Sequence, residues 1–375
     1  MTSRNISIFS FFSGSGFLDL GFEETGYRVE FVNEISDAFL LAYRYSRNVM
    51  NLPKPQYGYW GTDVKEYLNE RKSQLCDFIE DARKTSTLIG FIGGPPCPDF
   101  SVGGKNRGQE GERGKLSLTY IDLIICMQPD FFLFENVKGL WQTTRHRHFY
   151  DSLIEKIQNT GYATTDRLTN AFEFGAPQDR DRILLFGINK SCISKNQHEN
   201  GRIVDFPWEK NIVYPMSMMK ETPWPEQEPF RLDSFSDNPN PQMEPLTVQY
   251  WFSSNDVEHH PNSKDHFTPR NGIEKMKTIA EGDVSKKSYK RLHRWRYSPT
   301  AAYGNNEVHL HPYRERRISA SEAMAIQSLP AEFELPPEMT LSNKFKTIGN
   351  GVPFLLAKGV AQTINDYFGE NICSG

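Results

Sequence analysis

The chain of 375 residues is poor in cysteine and has no long apolar run. Its five cysteines, at positions 76, 97, 126, 192 and 373, are odd in number, widely spaced and without a CxxC pair. That excludes a disulfide framework and a zinc site built on paired thiols, and points to a reducing compartment, so the expected location is the cytoplasm. Apolar stretches such as FFLF at 131–134 are far too short to span a bilayer. The amino terminus, MTSRNISIFSFFSG, lacks a small-residue cleavage site and runs straight into a glycine loop, so it reads as a core strand rather than a secretory signal. Internal repeats and low-complexity tracts are absent as well.

An excess of positive charge is also missing. The net charge of −4 argues against a uniformly basic nucleic-acid binder, but the average hides an asymmetry. Between Val284 and Asn306 there are six Lys or Arg and no acid, whereas the proline-rich stretch from Lys220 to Pro245 holds six acids against two bases. The basic stripe is either a solvated face or a set of local phosphate contacts.

What the chain does have is alternation. ISIFSFF (6–12), RVEFVNE (28–34), TLIGFIGG (87–94), DFFLFEN (130–136) and DRILLFGINK (181–190) read as buried strands. Between them SDAFLLAYRYSRNVM (36–50), SLTYIDLIICMQ (117–128) and HFYDSLIEKIQNTG (148–161) carry helical periodicity. This predicts an α/β fold, a parallel sheet wrapped by helices on both faces. Residues 191–285 are polar and weakly periodic, and helices return at 316–330 and 352–368. The expected division is a cofactor-binding part over 1–190, a smaller inserted module over 191–300, and a return to the first part over 301–375.

Ligands of such sheets sit at the carboxyl ends of the strands. There, Gly14 and Gly16 form a turn that is either ordinary or shaped to approach a ligand. Glu34 ends the second strand, where an acid either holds a ribose or favours a helix N-terminus. Asp63 either caps a helix or accepts from an adenine amino group. In GGPPCPDFS (93–101), Pro95, Pro96 and Pro98 restrict the backbone around Cys97, which suits a positioned nucleophile. Glu135 and Asn136 emerge at the same edge, where a buried Glu135 stays protonated and acts as an acid. Arg180 and Arg182, two apart, point to one face of a strand or form surface ion pairs.

Taken together these residues resemble the DNA cytosine-5 methyltransferases, of the bacterial and phage restriction–modification type. FSGSGFLDLGFE (12–23) resembles the cofactor loop, GGPPCPDFS the nucleophile loop and ENV (135–137) the acid motif. QDRDR (178–182), YKRLHRWRYSPTAAYG (289–304), RRISASEAMAIQSLP (316–330) and IGNGVP (348–353) follow in the family's order over nearly the whole chain. The resemblance implies a Rossmann-like sheet binding S-adenosylmethionine, with an inserted target-recognition domain and no metal. It implies that Cys97 attacks carbon 6 of a flipped cytosine, that protonated Glu135 holds nitrogen 3, and that Arg182 holds the exocyclic oxygen. Arg180 would support that carboxylate and Asn136 the cysteine loop. Phe12 would stack on the adenine, with Ser13, Gly14, Ser15, Gly16 and Phe17 lining the loop. Glu34 would hold the ribose beside Ile35, and Asp63 the adenine amino group beside Val64. Pro95, Leu116, Asn350 and Val352 would close the site.

Three departures from the family pattern stand out: Pro98 replaces a glutamine, Phe17 stands where a second glycine is common, and Ile35 replaces a large aromatic. The implied partners are double-stranded DNA and a cognate restriction endonuclease acting independently. The expected form is a monomer working on the nucleoid without a membrane. Target choice falls to the inserted module, where Trp208, Trp224, Trp251, His259 and His260 are either base contacts or ordinary core and surface. Two rival readings are a tRNA cytosine-5 methyltransferase of the same fold and a catalytically silent DNA-binding regulator.

Overall fold

The computed structural model describes residues 5–96, 114–268, 272–286, 288–301, 303 and 307–372. Among them are nine strands: β1 (Ile6–Phe11), β2 (Arg28–Asn33), β3 (Tyr59–Trp60), β4 (Leu88–Gly93), β5 (Phe131–Val137), β6 (Tyr162–Asn170), β7 (Asp181–Asn189), β8 (His198–Glu199) and β9 (Arg202–Ile203). They join in one sheet in the order β3-β2-β1-β4-β5-β7-β6-β9-β8. The helices are α1 (Phe17–Glu23), α2 (Asp37–Val49), α3 (Lys72–Arg83), α4 (Gly114–Met127), α5 (Gly139–Gln142) and α6 (Thr144–Gln158), then α7 (Met216–Glu221), α8 (Val248–Ser254) and α9 (Ile273–Lys277). The chain closes with α10 (Ala320–Ile326), α11 (Leu341–Asn350) and α12 (Phe354–Asn371).

The apolar runs of the central strands are continuous because both sheet faces are covered. In β5, Phe131 and Leu133 join one core cluster while Phe132 and Phe134 join another. The first cluster is roofed by Leu18 and Phe22 of α1 and by Leu356, Val360 and Ile364 of α12. The second is roofed by Leu75 and Ile79 of α3, Ile121 and Ile124 of α4, and Leu153 and Ile157 of α6. Each of these side chains contributes roughly 1.5–3 kcal/mol when fully buried, so the sheet is the stable body to which the rest attaches.

The expected parallel sheet is corrected at two strands, β7 and the edge strand β8, which runs antiparallel to β9. β1, β2, β3, β4 and β5 pair in parallel, but β7 runs antiparallel to both β5 and β6. Only residues 171–180 join β6 to β7, too few for the crossover that a parallel pair needs. The reversal positions the site: Arg182, at the start of β7, lies opposite Val137, at the end of β5.

Residues 191–285 hold only short elements, as their weak periodicity suggests. A third cluster packs Val248 and Phe252 of α8 with Leu292, Ala301, Ala323 and Phe345 onto Phe17, Leu20 and Phe39 on α1 and α2. The helix expected over 316–330 is shorter, because Ser319 forms a capping box with Glu322 that starts α10 at Ala320. Two residues of the basic stripe are not available to phosphate. Arg291 is fully buried and donates to the carbonyls of Met276 and Ile279, and Arg294 is buried against Glu281 at 2.8 Å. Trp208, Trp224 and Trp251 pack in the cores, and each indole donates to the protein itself. His260 is buried, and His259 pairs with Asp256 on the surface. Among the described residues no helix is long and apolar enough to cross a membrane.

Candidate active site

The carboxyl ends of β1, β2, β4 and β5 and the start of β7 meet around a cleft of about 1780 Å³. Phe12, Ser13, Gly14, Ser15, Phe17, Glu34, Ile35, Asp63, Val64, Pro95, Leu116, Glu135, Asn136, Arg180, Arg182, Asn350 and Val352 all line it. Gly16 is not among the lining residues; its carbonyl accepts from Arg47 at 2.7 Å. Cys97 lies outside the described residues, as does Pro98.

On one side of the cleft β1 ends at Phe11, and Phe12 just after it, at φ 54°, turns the chain sharply out of the strand. Gly14 follows at φ 57°, a region glycine enters without strain, and its N–H donates to Glu34 Oε2 at 2.9 Å. The other carboxylate oxygen accepts from Ser36 N at 2.8 Å, so Glu34 also serves the first turn of α2. Both expected readings of Glu34 are thus compatible with its position. Burial pushes its pKa up, opposed by the hydrogen bonds from Ser36 and Gly14. Asp63 caps the single turn Val64–Leu68 through Oδ1, which accepts from Lys65 N at 3.0 Å. Its Oδ2 has no partner among the described residues. Beside Glu34, Ile35 is 62% exposed, an uncovered apolar surface on the cleft wall.

The other side is built on charge. Glu135 is buried, and Arg182 Nε stands 2.6 Å from its Oε1. Loss of water raises the Glu135 pKa, and Arg182 and Arg180 only partly offset this. A Cβ at Gly94 would lie 2.6 Å from Glu135 Oε2, so any larger residue here would displace that carboxyl. Asn136 Nδ2 donates to the Pro95 carbonyl at 3.2 Å, tying the segment that leads to Cys97 to the end of β5.

Arg180 is fully buried and donates to the carbonyls of Ala301 at 3.0 Å, Gly349 at 2.7 Å and Gly351 at 3.0 Å. It therefore fastens the closing segments onto the sheet edge. Burial, and Arg182 after it, lower its pKa. Arg180→Ala leaves three carbonyls without their donor, at about 1–3 kcal/mol for each unsatisfied group. The expected loss is about 3 kcal/mol or more in denaturant unfolding, and a wild-type midpoint would refute it.

Several lining residues had no sequence signal. Lys138 pairs with Asp181 at 2.6 Å, Lys346 Nζ lies 5.7 Å from the Phe39 ring centre, and Tyr303 places a buried hydroxyl at the wall. Lys138 directly follows ENV and could have been found by extending that motif. The other two, Tyr303 and Lys346, come from elements far from it in sequence.

The family model described as C-5 cytosine-specific DNA methylase matches residues 6–366. The Type II methyltransferase M.NmeDI of Neisseria meningitidis serogroup C is 56% identical over 361 residues, covering 96% of this chain and 83% of that protein. The Type II methyltransferase M.FnuDI of Fusobacterium nucleatum is 27% identical and covers 96% of both. In overall fold the chain is similar to a solved prophage-encoded putative DNA modification methyltransferase of E. coli. The TM-score is 0.64 and the identity 22%, over 98% of this chain and 100% of that one.

Proposed function

The chain belongs to the C-5 cytosine-specific DNA methylase family, and from that membership we propose how its cleft brings about methylation. It is a DNA cytosine-5 methyltransferase. The observation that carries the mechanism is a buried carboxyl with a raised pKa, Glu135, beside Arg182 and at the same sheet edge as the Gly14–Glu34 turn.

The chain's residues fit S-adenosylmethionine as the donor. Glu34 is a carboxylate already oriented by two backbone N–H groups, and Asp63 Oδ2 is an open acceptor. Phe12 and the uncovered Ile35 offer apolar surface for a flat base. When bound, this group supplies an electrophilic methyl on a sulfonium. Phe12, Glu34, Ile35 and Asp63 would orient its nucleoside. Ser13, Gly14, Ser15 and Phe17 would line the loop, with Gly16 shaping the turn behind it. Val64, Pro95, Leu116, Asn350 and Val352 would close over it.

The target cytosine is stacked inside a duplex and must leave it to enter such a cleft. Cys97, as thiolate, would add to carbon 6. Glu135 would give its proton to nitrogen 3, and Arg182 would hold the exocyclic oxygen, so the electron pair displaced by the thiolate gathers at carbon 5. Carbon 5 would then be the nucleophile toward the donor's methyl group. Loss of the carbon 5 proton to water, departure of Cys97 as thiolate and return of the nitrogen 3 proton to Glu135 would restore the aromatic ring and the starting state of the site. Arg180 would steady the closing segments, and Asn136 would hold the chain leading into the cysteine.

The module over about 191–300 would choose the sequence, with 301–375 returning to the catalytic unit. The names of the related type II methyltransferases support a role in restriction–modification. A cognate endonuclease would then act independently on the same site, and this chain would work as a monomer on DNA in the cytoplasm.

The test is base-resolution 5-methylcytosine sequencing of DNA from a methylation-free bacterial host expressing this chain. Methylation concentrated in one short motif is expected. Unmodified DNA alongside soluble, cofactor-binding protein would sink the reading and turn the search to tRNA or to a regulatory role.

A further inference from the structure

Phe235 is 85% exposed, the most exposed large apolar side chain among the described residues, and Leu232 three positions earlier is 55% exposed. An isolated surface apolar residue needs no explanation. The backbone that carries this one does. Ser234, just before Phe235, accepts from Arg294 at its carbonyl, and its Oγ accepts from Arg294 Nη2 at 2.9 Å. Ser236, just after it, accepts the Trp295 indole N–H at its carbonyl and its Oγ, both at 3.1 Å. Asp233 N donates to the Tyr313 carbonyl at 2.8 Å.

The clamp is itself fixed. Arg294 is buried, held by two Glu281 oxygens at 2.8 Å each, with its guanidinium 4.3 Å from the Tyr313 ring centre. A buried ion pair and an indole thus position a short segment whose middle side chain touches water. The backbone entropy of presenting that aromatic ring is thus lowered before any partner arrives.

The same stretch of chain leads to the cleft. Thr300, five residues beyond Trp295, lines it, and Ala301 accepts from Arg180. At about 3.3–3.6 Å per extended residue, Trp295 and Thr300 are at most ~18 Å apart. That is roughly five base-pair steps at 3.4 Å each, plus the reach of the side chains. Asp233 pairs with Arg314 at 3.6 Å, and the acid Asp237, two residues beyond Phe235, disfavours phosphate beside this loop, which leaves the base edges as its seat.

We propose that Phe235 is a specificity-determining residue that stacks on a base, or wedges between two, in the recognition sequence next to the target cytosine. The proposal rests on the reading that this chain methylates a short duplex sequence. It deepens that reading by naming a residue that positions the duplex. Apolar wedges such as Phe unstack base steps, and base–aromatic stacking contributes strongly to affinity without involving phosphate.

The experiment measures the dissociation constant of wild type, Phe235→Ala and Phe235→Trp for the methylated motif and for an unrelated duplex, across a range of salt concentrations. Phe235→Ala should weaken binding to the motif by about 10–100-fold. The slope of log affinity against log salt and the binding of unrelated DNA should stay unchanged, and Phe235→Trp should restore most of the loss. Loss of a phosphate contact would instead lower the slope by about one and weaken all DNA alike. That result, or unchanged affinity, overturns the proposal. Binding of S-adenosylmethionine by each variant checks that the fold is intact. A wild-type chain that methylates no DNA would refute the functional reading and not this assignment alone.

Discussion

Cys97→Ala should leave its host's DNA without 5-methylcytosine, a fall on the order of 10⁴-fold or more, while the protein still binds the same duplex. The expectation rests on where the other thiols are. Cys76 is part-buried on α3, where its Sγ lies 3.7 Å from Met127 Sδ and burial raises its pKa. Cys192 follows β7 at the far end of the sheet, pushed up to about 11 by burial and by Asp130. Cys126 packs on α4 against the sheet face. None of these three lines the cleft, and the thiol form is a poor nucleophile. Cys97 instead follows Pro95 and Pro96, and Asn136 pins the Pro95 carbonyl at the end of β5. The measurement is single-turnover methylation with a DNA-binding control. Methylation that persists in Cys97→Ala would mean that another group attacks the base.

Much of this arrangement is legible in the sequence because the central strands are buried on two faces. A run such as FFLF has no polar position to interrupt it, so β1, β4, β5 and β7 stand out. β6, YATTDRLTN, does not, since its buried positions are held by particular partners rather than by apolar texture. Buried Thr164 accepts from Gln158 Nε2 at 2.7 Å, and buried Asn170 donates to Asp179 at 2.8 Å. Strand direction was not legible either. The apolar content of DRILLFGINK is the same whichever way it runs, yet only the antiparallel course brings Arg182 beside Glu135. The basic stretch misled for a similar reason. Arg291 and Arg294 find their acceptors on chain that is distant in sequence, and a charge run does not reveal its partners. Strand-end reasoning pointed to Glu34 and Glu135, and both line the cleft, because a strand's last residues lie at the sheet edge. It had no means of finding Tyr303 or Lys346, which reach the same cleft from the closing segments.

Glu135→Gln should reduce kcat/KM by about 10²–10⁴-fold, the range for losing a positioned general acid, and should also change its pH dependence. Burial raises the Glu135 pKa above the ordinary 4.5, and the charges of Arg182 and Arg180 offset only part of that. A base entering the cleft excludes more water and strengthens the same effect. The wild-type rate should therefore fall on the alkaline side as Glu135 loses its proton. The amide in Glu135→Gln keeps a neutral hydrogen-bond donor but has no proton to release, so the variant's residual rate should lose the alkaline fall.

Stability gives a second readout with a definite sign. Because the folded pKa is raised, the folded state holds this proton at pH values where the unfolded chain has released it. Stability should then decline as pH rises from about 4.5 through the folded pKa. Glu135→Gln should remove that decline. The substitution also takes away the carboxylate facing Arg182, leaving a buried guanidinium without its counter-charge. Denaturant unfolding at several pH values separates these consequences. A pH-independent offset reports packing and hydrogen bonds lost with the side chain, and a changed slope reports the lost titration, the pairing with Arg182 included. An alkaline limb that survives in Glu135→Gln would show that some other group supplies the proton, and Glu135 would then be a partner of Arg182 and nothing more.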